Sequence, residues 1–457
     1  MDYSKKIKLP PNNSDKKNQI YEATEIVRVL HNHGYSAVFA GGYPRDLLLN
    51  VPSDDIDIAT NATPDQIKEL FSDSICVGES FGVIKVIGKY DQYDVATFRK
   101  DSSEYSDGRH PVSVSFSTME EDAKRRDLTI NGIFFDPLTE QFFDFVQGIQ
   151  DIRDGIIRLI GDPQKRIEED KLRLMRVVRF TTRFGFKIED ETYQAVFFHA
   201  SEISSVSAER VADEMTKILK LQDKRKALQL LLEFTLLQII LPEIAVMVGC
   251  EQPPQFHPEG DVFEHTIQAL EYLPQDASEV LLWATLLHDV GKPSTQTFED
   301  RIRFSGHDKK GMYLTREILQ RLKFSNDFID RVASLVENHM KFTAVEVMKK
   351  ATLKRFIGLP HFDEHLELHK VDCLSSHGDL EHYKFVLEKM KTFESSQEEV
   401  TVNKLPRIIT GNDLIALGYS KGPIFRTILT DVEDQQLEGE ITNKIQALEY
   451  LKVKYPL

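Results

Sequence analysis

Phe39-Ala40-Gly41-Gly42-Tyr43-Pro44-Arg45-Asp46, followed by Asp55-Ile56-Asp57, joins an apolar strand end to a glycine pair and then to two carboxylates one residue apart. Side chains at i and i+2 of an extended strand share a face, so Asp55 and Asp57 are expected to point together. Two hard anionic oxygens on one rigid face suit magnesium. A later strand-like run, Tyr93 to Arg99, offers Asp94 as a third ligand. Three converging carboxylates can hold two metal ions, one activating an attacking hydroxyl and one neutralising a leaving pyrophosphate. Gly41 and Gly42 have no Cβ, so main-chain amides there can approach phosphate oxygens closely. An isolated Asp-x-Asp is usually a solvated turn; the glycine pair and the third carboxylate make this one a site.

Outward from this stretch, 457 residues suggest about three domains of roughly 150 residues each. The apolar share of 41% and charged share of 28% exclude a mostly disordered, collagen-like or membrane-spanning chain. A net charge of −16 means that any polyanion must be held by a local basic surface. Cys76, Cys250 and Cys373 are too widely spaced for a metal knuckle or redox pair, which fits a reducing cytoplasm. No export signal is evident, and the longest apolar region, Ala227 to Cys250, is interrupted by Gln229, Glu233, Gln238, Pro242 and Glu243, so no membrane partner is expected.

The pattern predicts an α+β chain in five parts: a flexible tail over 1–20, a small mixed-sheet head over 21–150, a helical neck over 151–245, a helical body over 246–400 and a helical tail over 401–457. Strand-like runs in the head fall at Ala37–Ala40, Val83–Ile87, Tyr93–Phe98, Gly132–Asp136 and Gln141–Val146, with helices at Glu22–Asn32 and Pro64–Leu70. After Pro163 the period becomes helical almost throughout.

The ordered motifs resemble the class II tRNA nucleotidyltransferase and bacterial poly(A) polymerase family of the polymerase β superfamily. Gly41-Gly42-x-x-Arg45-Asp46 with Asp55-x-Asp57 is similar to that family's first motif. Glu121-Asp122-Ala-Lys-Arg125-Arg126-Asp127-Leu-Thr-Ile-Asn131 is similar to the second, which implies that Asp122, Arg126, Asp127 and Asn131 serve the nucleotide's ribose and phosphates. Asp136-Pro137 through Gly148 matches the third. Glu169-Asp170-Lys-Leu-Arg173-Leu-Met-Arg176 resembles the fourth, a side-chain template for the incoming base, and Glu209-Arg210 with Glu214 resembles the fifth. The family usually has glycine where Asn50 stands and often glutamate where Asp94 stands.

Chemistry supports the template reading. On one helix, Asp170 and Arg173 would be i,i+3 and Glu169 and Arg173 i,i+4, so their polar ends are expected to meet. Arginine donors and aspartate acceptors match the edges of cytosine and adenine. Between Lys165 and Lys187, eight basic residues face three acids, and Arg173, Arg176, Arg179 and Arg183 repeat at helical spacing. The expectation is a basic stripe that receives RNA phosphates, with Arg176 and Arg179 counted among the nucleotide-binding residues.

Downstream, His265, the pair His288-Asp289, and Asp372 stand in the order found in the HD phosphohydrolase superfamily, with His307 and His339 where two-metal members carry extra ligands. Imidazole with carboxylate suits manganese, nickel, iron or zinc. The resemblance implies a divalent transition-metal centre, either structural or active on a phosphate ester such as a 2′,3′-cyclic phosphate or 2′-phosphate. The other histidines, His257 and His369 among them, read as ordinary.

The whole pattern implies a template-independent enzyme that builds or repairs the CCA at the tRNA 3′ end from CTP and ATP, with magnesium in the head. An A-adding-only enzyme or a poly(A) polymerase would share these motifs. Ser106-Asp107-Gly108-Arg109 resembles part of the loop shortened in CC-only members, which disfavours that variant. From another class, an HD phosphohydrolase with a nucleotide-sensing head remains the competitor. The sequence leaves oligomeric state open.

Overall fold

A computed structural model describes residues 14–53, 55–76, 82–101, 114–255, 257–298, 300–395 and 407–456. The chain divides into two units, one reaching Pro242 and one starting at Glu243. The fold is mixed α+β: a sheet in the first unit, with helices making up most of the rest.

The sheet uses β1 (Ala37–Ala40), β2 (Asp57–Thr60), β3 (Ser74–Cys76), β4 (Val83–Ile87) and β5 (Gln92–Thr97). A separate ribbon pairs β6 (Arg99–Asp101) with β7 (Val114–Phe116), and β8 (Ile133–Asp136) and β9 (Gln141–Asp144) complete the sheet. Its order is β3-β4-β5-β2-β1-β8-β9, antiparallel except where β2 runs parallel to β5.

Alternation sorts β1 between two cores. Ala37 and Phe39 join Ile58, Ile84 and Val95 beneath Ala23, Val27, Leu30 and Ile67 of the helices Ser14–Asn32 and Pro64–Leu70. Val38 and Ala40 join Ala59, Phe98, Ala123 and Phe134 on the other face. Asp57 shares the parity of Ala59, and Asp94 stands one step before the Ile58–Val95 pair. The parallel register therefore sets Asp57 and Asp94 side by side on one face.

Two sequence expectations need correction. The first helix starts at Ser14, so residues 14–20 of the supposed tail are helical. Ile20 packs on the core, Lys16 Nζ donates to the Ser53 carbonyl at 3.3 Å, and Gln19 Nε2 donates to Asp91 at 3.0 Å; the polar composition concealed this apolar spacing. The chain is also not one helix through the fourth motif. It breaks between Pro163–Glu169 and Arg173–Phe184, where Asp170 is extended at φ −149°. Aspartate competes for its own backbone there: its Oδ1 accepts from the Leu172 amide at 3.1 Å. Asn50, at φ 56°, occupies the left-handed region where the related family places glycine, a conformation asparagine tolerates.

In the second unit the helix Glu279–Leu287 is buried on every side from Val280 to Leu287, with Trp283 edge-on to Phe324 at 5.1 Å, and it delivers His288 and Asp289 at its end. Asp261 caps the helix Val262–Tyr272, accepting from the Glu264 amide at 2.9 Å. The helices His307–Arg321, Asn326–Asn338 and Phe362–Leu374 complete the surroundings of that pair. Near the C-terminus, Thr410 and Asp413 form a capping box, and Leu414, Ile428, Val432 and Leu451 build a small core of their own.

Candidate functional site

Strand β1 ends opposite Asp57, in the pair Ala40–Asp57, and the chain then turns at Gly41. Gly41 has φ +68°, and a Cβ there would lie 2.3 Å from Asp57 Oδ2. Glycine is therefore required twice, for conformation and for space. Asp57 opens β2, whereas Asp55 lies just before the strand.

Both aspartates line a cavity of about 630 Å³ together with Gly41, Gly42, Arg45, Arg126, Asp127, Asn131, Asp170, Arg173 and Arg176. Burial, then the charges of Asp55 and Asp94, push Asp57 up to about 6, although Arg126 opposes this. Asp55 is raised by burial and by Asp94. Anions packed this closely, and only partly offset by Arg126 and Lys85, mark a place for a cation, and their hard oxygens fit magnesium. Asp94 lies beside Asp57 by register rather than in the cavity wall, and Lys85 Nζ holds its Oδ1 at 2.9 Å from the opposite position on β4.

Opposite the carboxylates stand arginines that are held in fixed positions. Arg45 is buried, pairs with Asp46 at 2.7 Å, donates to Asn131 Oδ1, and lies against the rings of Phe180 and Phe184. Arg176 Nε donates to Asp127 Oδ2 at 2.7 Å, and Asn131 Nδ2 donates to the other oxygen at 3.0 Å. Burial works against ionisation of Asp127, but Arg176 and these hydrogen bonds hold it well below the usual carboxylate range.

The proposed template residues take separate partners. Arg173 pairs with Glu169 at 2.8 Å, while Asp170 Oδ2 accepts from Arg210 Nη2 at 2.8 Å. Asp170 and Arg173 both line the cavity, but the i,i+3 pairing expected between them is replaced, because the helix breaks at Asp170.

Three further expectations are corrected. Arg179 does not line the cavity; it is buried and bonded through Nε to Glu214 Oε1 at 2.6 Å, so the arginine stripe is not a free basic face. Arg176 and Arg183 likewise face Asp127 and Asp46. Asp122 lies behind the wall, buried beneath Arg125 and Arg126 at 2.8 and 3.0 Å, and orients them. Glu169 also stays behind, bracing Arg166 and Arg173. Ser53, Arg99 and Phe180 also line the cavity and were missed from sequence, while Asp46 and Arg125, quoted within the motifs, and Arg183, counted in the basic stripe, line it without having been assigned to nucleotide binding. Arg125 could have been chosen with its neighbour Arg126, and Phe180 lies one turn beyond Arg176. The segment Ser106–Arg109 lies outside the described residues.

In the second unit the six expected metal-ligating residues meet. His265 Nε2 lies 3.2 Å from His288 Nε2 and 3.1 Å from Asp372 Oδ1; His307 Nε2 lies 3.1 Å from His339 Nε2. Asp289 stands between the two groups, Oδ2 at 3.2 Å from His288 and Oδ1 at 3.5 Å from His307. The groups His265–His288–Asp372 and Asp289–His307–His339 can each hold an ion. Buried imidazole nitrogens at such distances are satisfied by sharing either a proton or a metal cation, and the carboxylates beside them suit the latter. Burial opposes protonation of His265, yet hydrogen bonds to Asp372 and Glu259 push it up to about 9. Burial, with His307 nearby, pushes His339 down to about 4. Of the six, Asp289, His307, His339 and Asp372 border a cavity of about 650 Å³ that also meets Lys292, Arg301, Arg303, Phe304, His369 and His382. His257 and His369, read from sequence as ordinary, belong to its wall.

No helix among the described residues is long and apolar enough to cross a membrane. Residues 37–158 match the poly(A) polymerase head domain, 185–247 the probable RNA- and SrmB-binding site of polymerase A, and 312–451 a tRNA nucleotidyltransferase domain 2. The CCA-adding enzyme of Enterococcus faecalis is 30% identical over 444 residues, covering 94% of this chain and 95% of that protein. That of Lactobacillus helveticus is 34% identical over 304 residues, covering 66% and 71%. The crystal structure of the Bacillus stearothermophilus CCA-adding enzyme in complex with CTP superposes with a TM-score of 0.72 at 26% identity, covering 97% of this chain and 99% of that one. With relatives at this identity over nearly their whole length, the chain belongs to the class II CCA-adding enzyme and poly(A) polymerase family of nucleotidyltransferases.

Proposed function

We infer that this nucleotidyltransferase adds or repairs the 3′-terminal CCA of tRNA from CTP and ATP without a nucleic-acid template. The observation that carries this reading is the single cavity bounded by Asp55 and Asp57 and also by Asp170 and Arg173. It unites groups suited to phosphoryl chemistry with groups suited to choosing a base.

Asp55 and Asp57, with Asp94 beside them, would hold magnesium, which supplies Lewis-acid activation and charge neutralisation for nucleotidyl transfer. The chain's own side chains bind and orient. Seven arginines and five aspartates line the cavity, a local positive excess in an acidic protein that favours a triphosphate. Arg126 and Asn131 would serve the phosphates and ribose, with Asp127 fixing Asn131 and Arg176. The 3′ hydroxyl of the tRNA attacks the α-phosphate, and pyrophosphate leaves. Asp170 accepts from the amino group that cytosine and adenine share, and Arg173 donates to the adjacent ring nitrogen.

Changing Asp170 to alanine is therefore expected to raise UTP incorporation relative to CTP by roughly 5- to 100-fold, the discrimination of one good base-edge contact. Competing incorporation assays on tRNA ending at the discriminator base check this; unchanged discrimination removes Asp170 from base selection. The function itself is tested by supplying pure protein with tRNAs ending at the discriminator base, at C or at CC, and with CTP or ATP separately. CTP should extend the first two and ATP the third. Transfer of ATP alone, once, would make it A-adding, and repeated ATP transfer a poly(A) polymerase.

We infer further that the histidine centre is an HD-type site holding manganese, nickel, iron or zinc, with water activation against a phosphate ester as its chemistry. The juxtaposition of His265, His288, Asp289 and Asp372 supports this, and the division of Asp289 between two groups supports two ions. The proposed setting is the cytoplasm, where tRNA and nucleoside triphosphates meet.

A further inference from the structure

Three of the four converging histidines turn Nδ1 to a main-chain carbonyl. His288 Nδ1 lies 2.8 Å from the Thr285 oxygen, His307 Nδ1 2.8 Å from that of Phe304, and His339 Nδ1 2.7 Å from that of Val336. His265 differs, with its Nδ1 2.7 Å from Glu259 Oε1. Ser375 Oγ lies farther from the same nitrogen, at 3.4 Å. His265 has 0% of its side chain exposed and Glu259 6%. Glu259 Oε1 also receives His257 Nδ1 at 2.8 Å, and among the described residues its Oε2 is buried without a hydrogen-bond partner. A carboxylate buried with one oxygen unmatched is costly, so its charge calls for a use.

We propose that Glu259 is a positioning residue for this centre, making the His265–His288–Asp372 position the tighter of two unequal metal positions that fill in sequence. The inference rests on the metal-centre reading above. A hydrogen bond from Nδ1–H to a carboxylate is about twice as strong as one to a neutral acceptor. It fixes the tautomer that leaves the Nε2 lone pair free, fixes the ring plane, and raises the basicity of the ligating nitrogen. Among the described residues, the His265 position can draw on Asp372 and on Oδ2 of Asp289, whereas the His307–His339 position has Oδ1 of Asp289 as its one carboxylate ligand atom. Lys292, whose Nζ lies 2.6 Å from Asp289 Oδ2, offsets part of that advantage but leaves Glu259 and Asp372 unneutralised.

The test is a manganese titration of the full-length, chelator-stripped protein, with bound metal counted by mass spectrometry. The unmodified protein should take up two ions in two steps. Glu259→Gln, which keeps the shape and loses the charge, should weaken the first step about 10-fold, and Glu259→Ala up to about 100-fold, with the second step unchanged. The thermal unfolding of metal-free Glu259→Gln, the isosteric variant, should match that of the unmodified protein. Wild-type-like uptake by Glu259→Gln, or equal weakening of both steps, overturns the assignment of Glu259. Failure of the unmodified protein to bind any ion overturns the metal centre itself.

Discussion

Asparagine at position 57 is expected to cut incorporation of both CTP and ATP by about 10²- to 10³-fold, and at the same time to make the metal-free protein more stable. The loss follows from removing a charge that no neighbour can replace: Asp57 opens β2 against Gly41, and preorganised electrostatic groups of this kind are each worth two to three orders of magnitude in rate. The gain follows from the same crowding. Burial, Asp55 and Asp94 raise Asp57 from 3.8 to about 6 in the folded protein. A raised carboxyl favours folding where it is protonated; that contribution is fully present below 3.8 and is lost as pH rises through about 6. Above that pH the native state bears an ionised group it would rather not hold. With about 1.4 kcal/mol per unit, and a discount for partial solvation, asparagine should return about 1 to 2 kcal/mol at pH 8. In a unit of this size that is a rise in Tm of roughly 2 to 8 °C, measured in chelator. Substantial residual transfer would remove Asp57 from the catalytic trio, and an unmoved Tm would mean that the carboxylates do not strain one another.

The residues that carry this conflict were legible because they are local. Gly41-Gly42 and Asp55-x-Asp57 lie in one short stretch, and period-two alternation places β1 and β4 at the bounds the structure shows, Ala37–Ala40 and Val83–Ile87. What sequence could not supply is the choice of partner across distance. Arg179 fits a basic stripe by spacing, but Glu214, thirty-five positions away, takes its charge into the interior. Asp170 looks like one turn of a helix until its own side chain captures the Leu172 amide and Arg210 arrives from a later helix. The first helix was read too short because its apolar residues, Ile20, Ala23, Val27 and Leu30, are diluted by polar neighbours, so periodicity mattered more than mean composition. His257 carried no signal at all: its importance comes from sharing Glu259 with His265, a relation visible only in three dimensions.

The joint replacement of His288 and Asp289 by alanine should take the second unit from two bound ions to none while the protein continues to add CCA. Asp289 is the shared element: its two oxygens face different histidine groups, so its loss weakens both positions, and His288 Nε2 lies closer to its Oδ2 than His265 Nε2 does, at 3.2 against 3.6 Å. Removing a buried anion also leaves Lys292, paired with it at 2.6 Å, with only neutral neighbours among its described contacts, Gln252 Oε1 at 2.7 Å and the Phe304 ring at 5.5 Å. An unpaired buried ammonium is costly, so the double variant should lose stability, by roughly 3 to 5 kcal/mol if Lys292 stays charged. Asp289→Asn, which keeps the volume, provides the gentler companion and should lose the bridged ion pair with a smaller penalty. Asp55, Asp57 and Asp94 belong to the first unit and the histidines to the second. Metal counts and stepwise CCA assays on both variants therefore separate two readings of the molecule. Continued nucleotide addition without bound transition metal identifies the head as the working polymerase. Loss of addition in Asp289→Asn, with its fold intact by thermal unfolding, would make the histidine centre the active part and the head its nucleotide sensor.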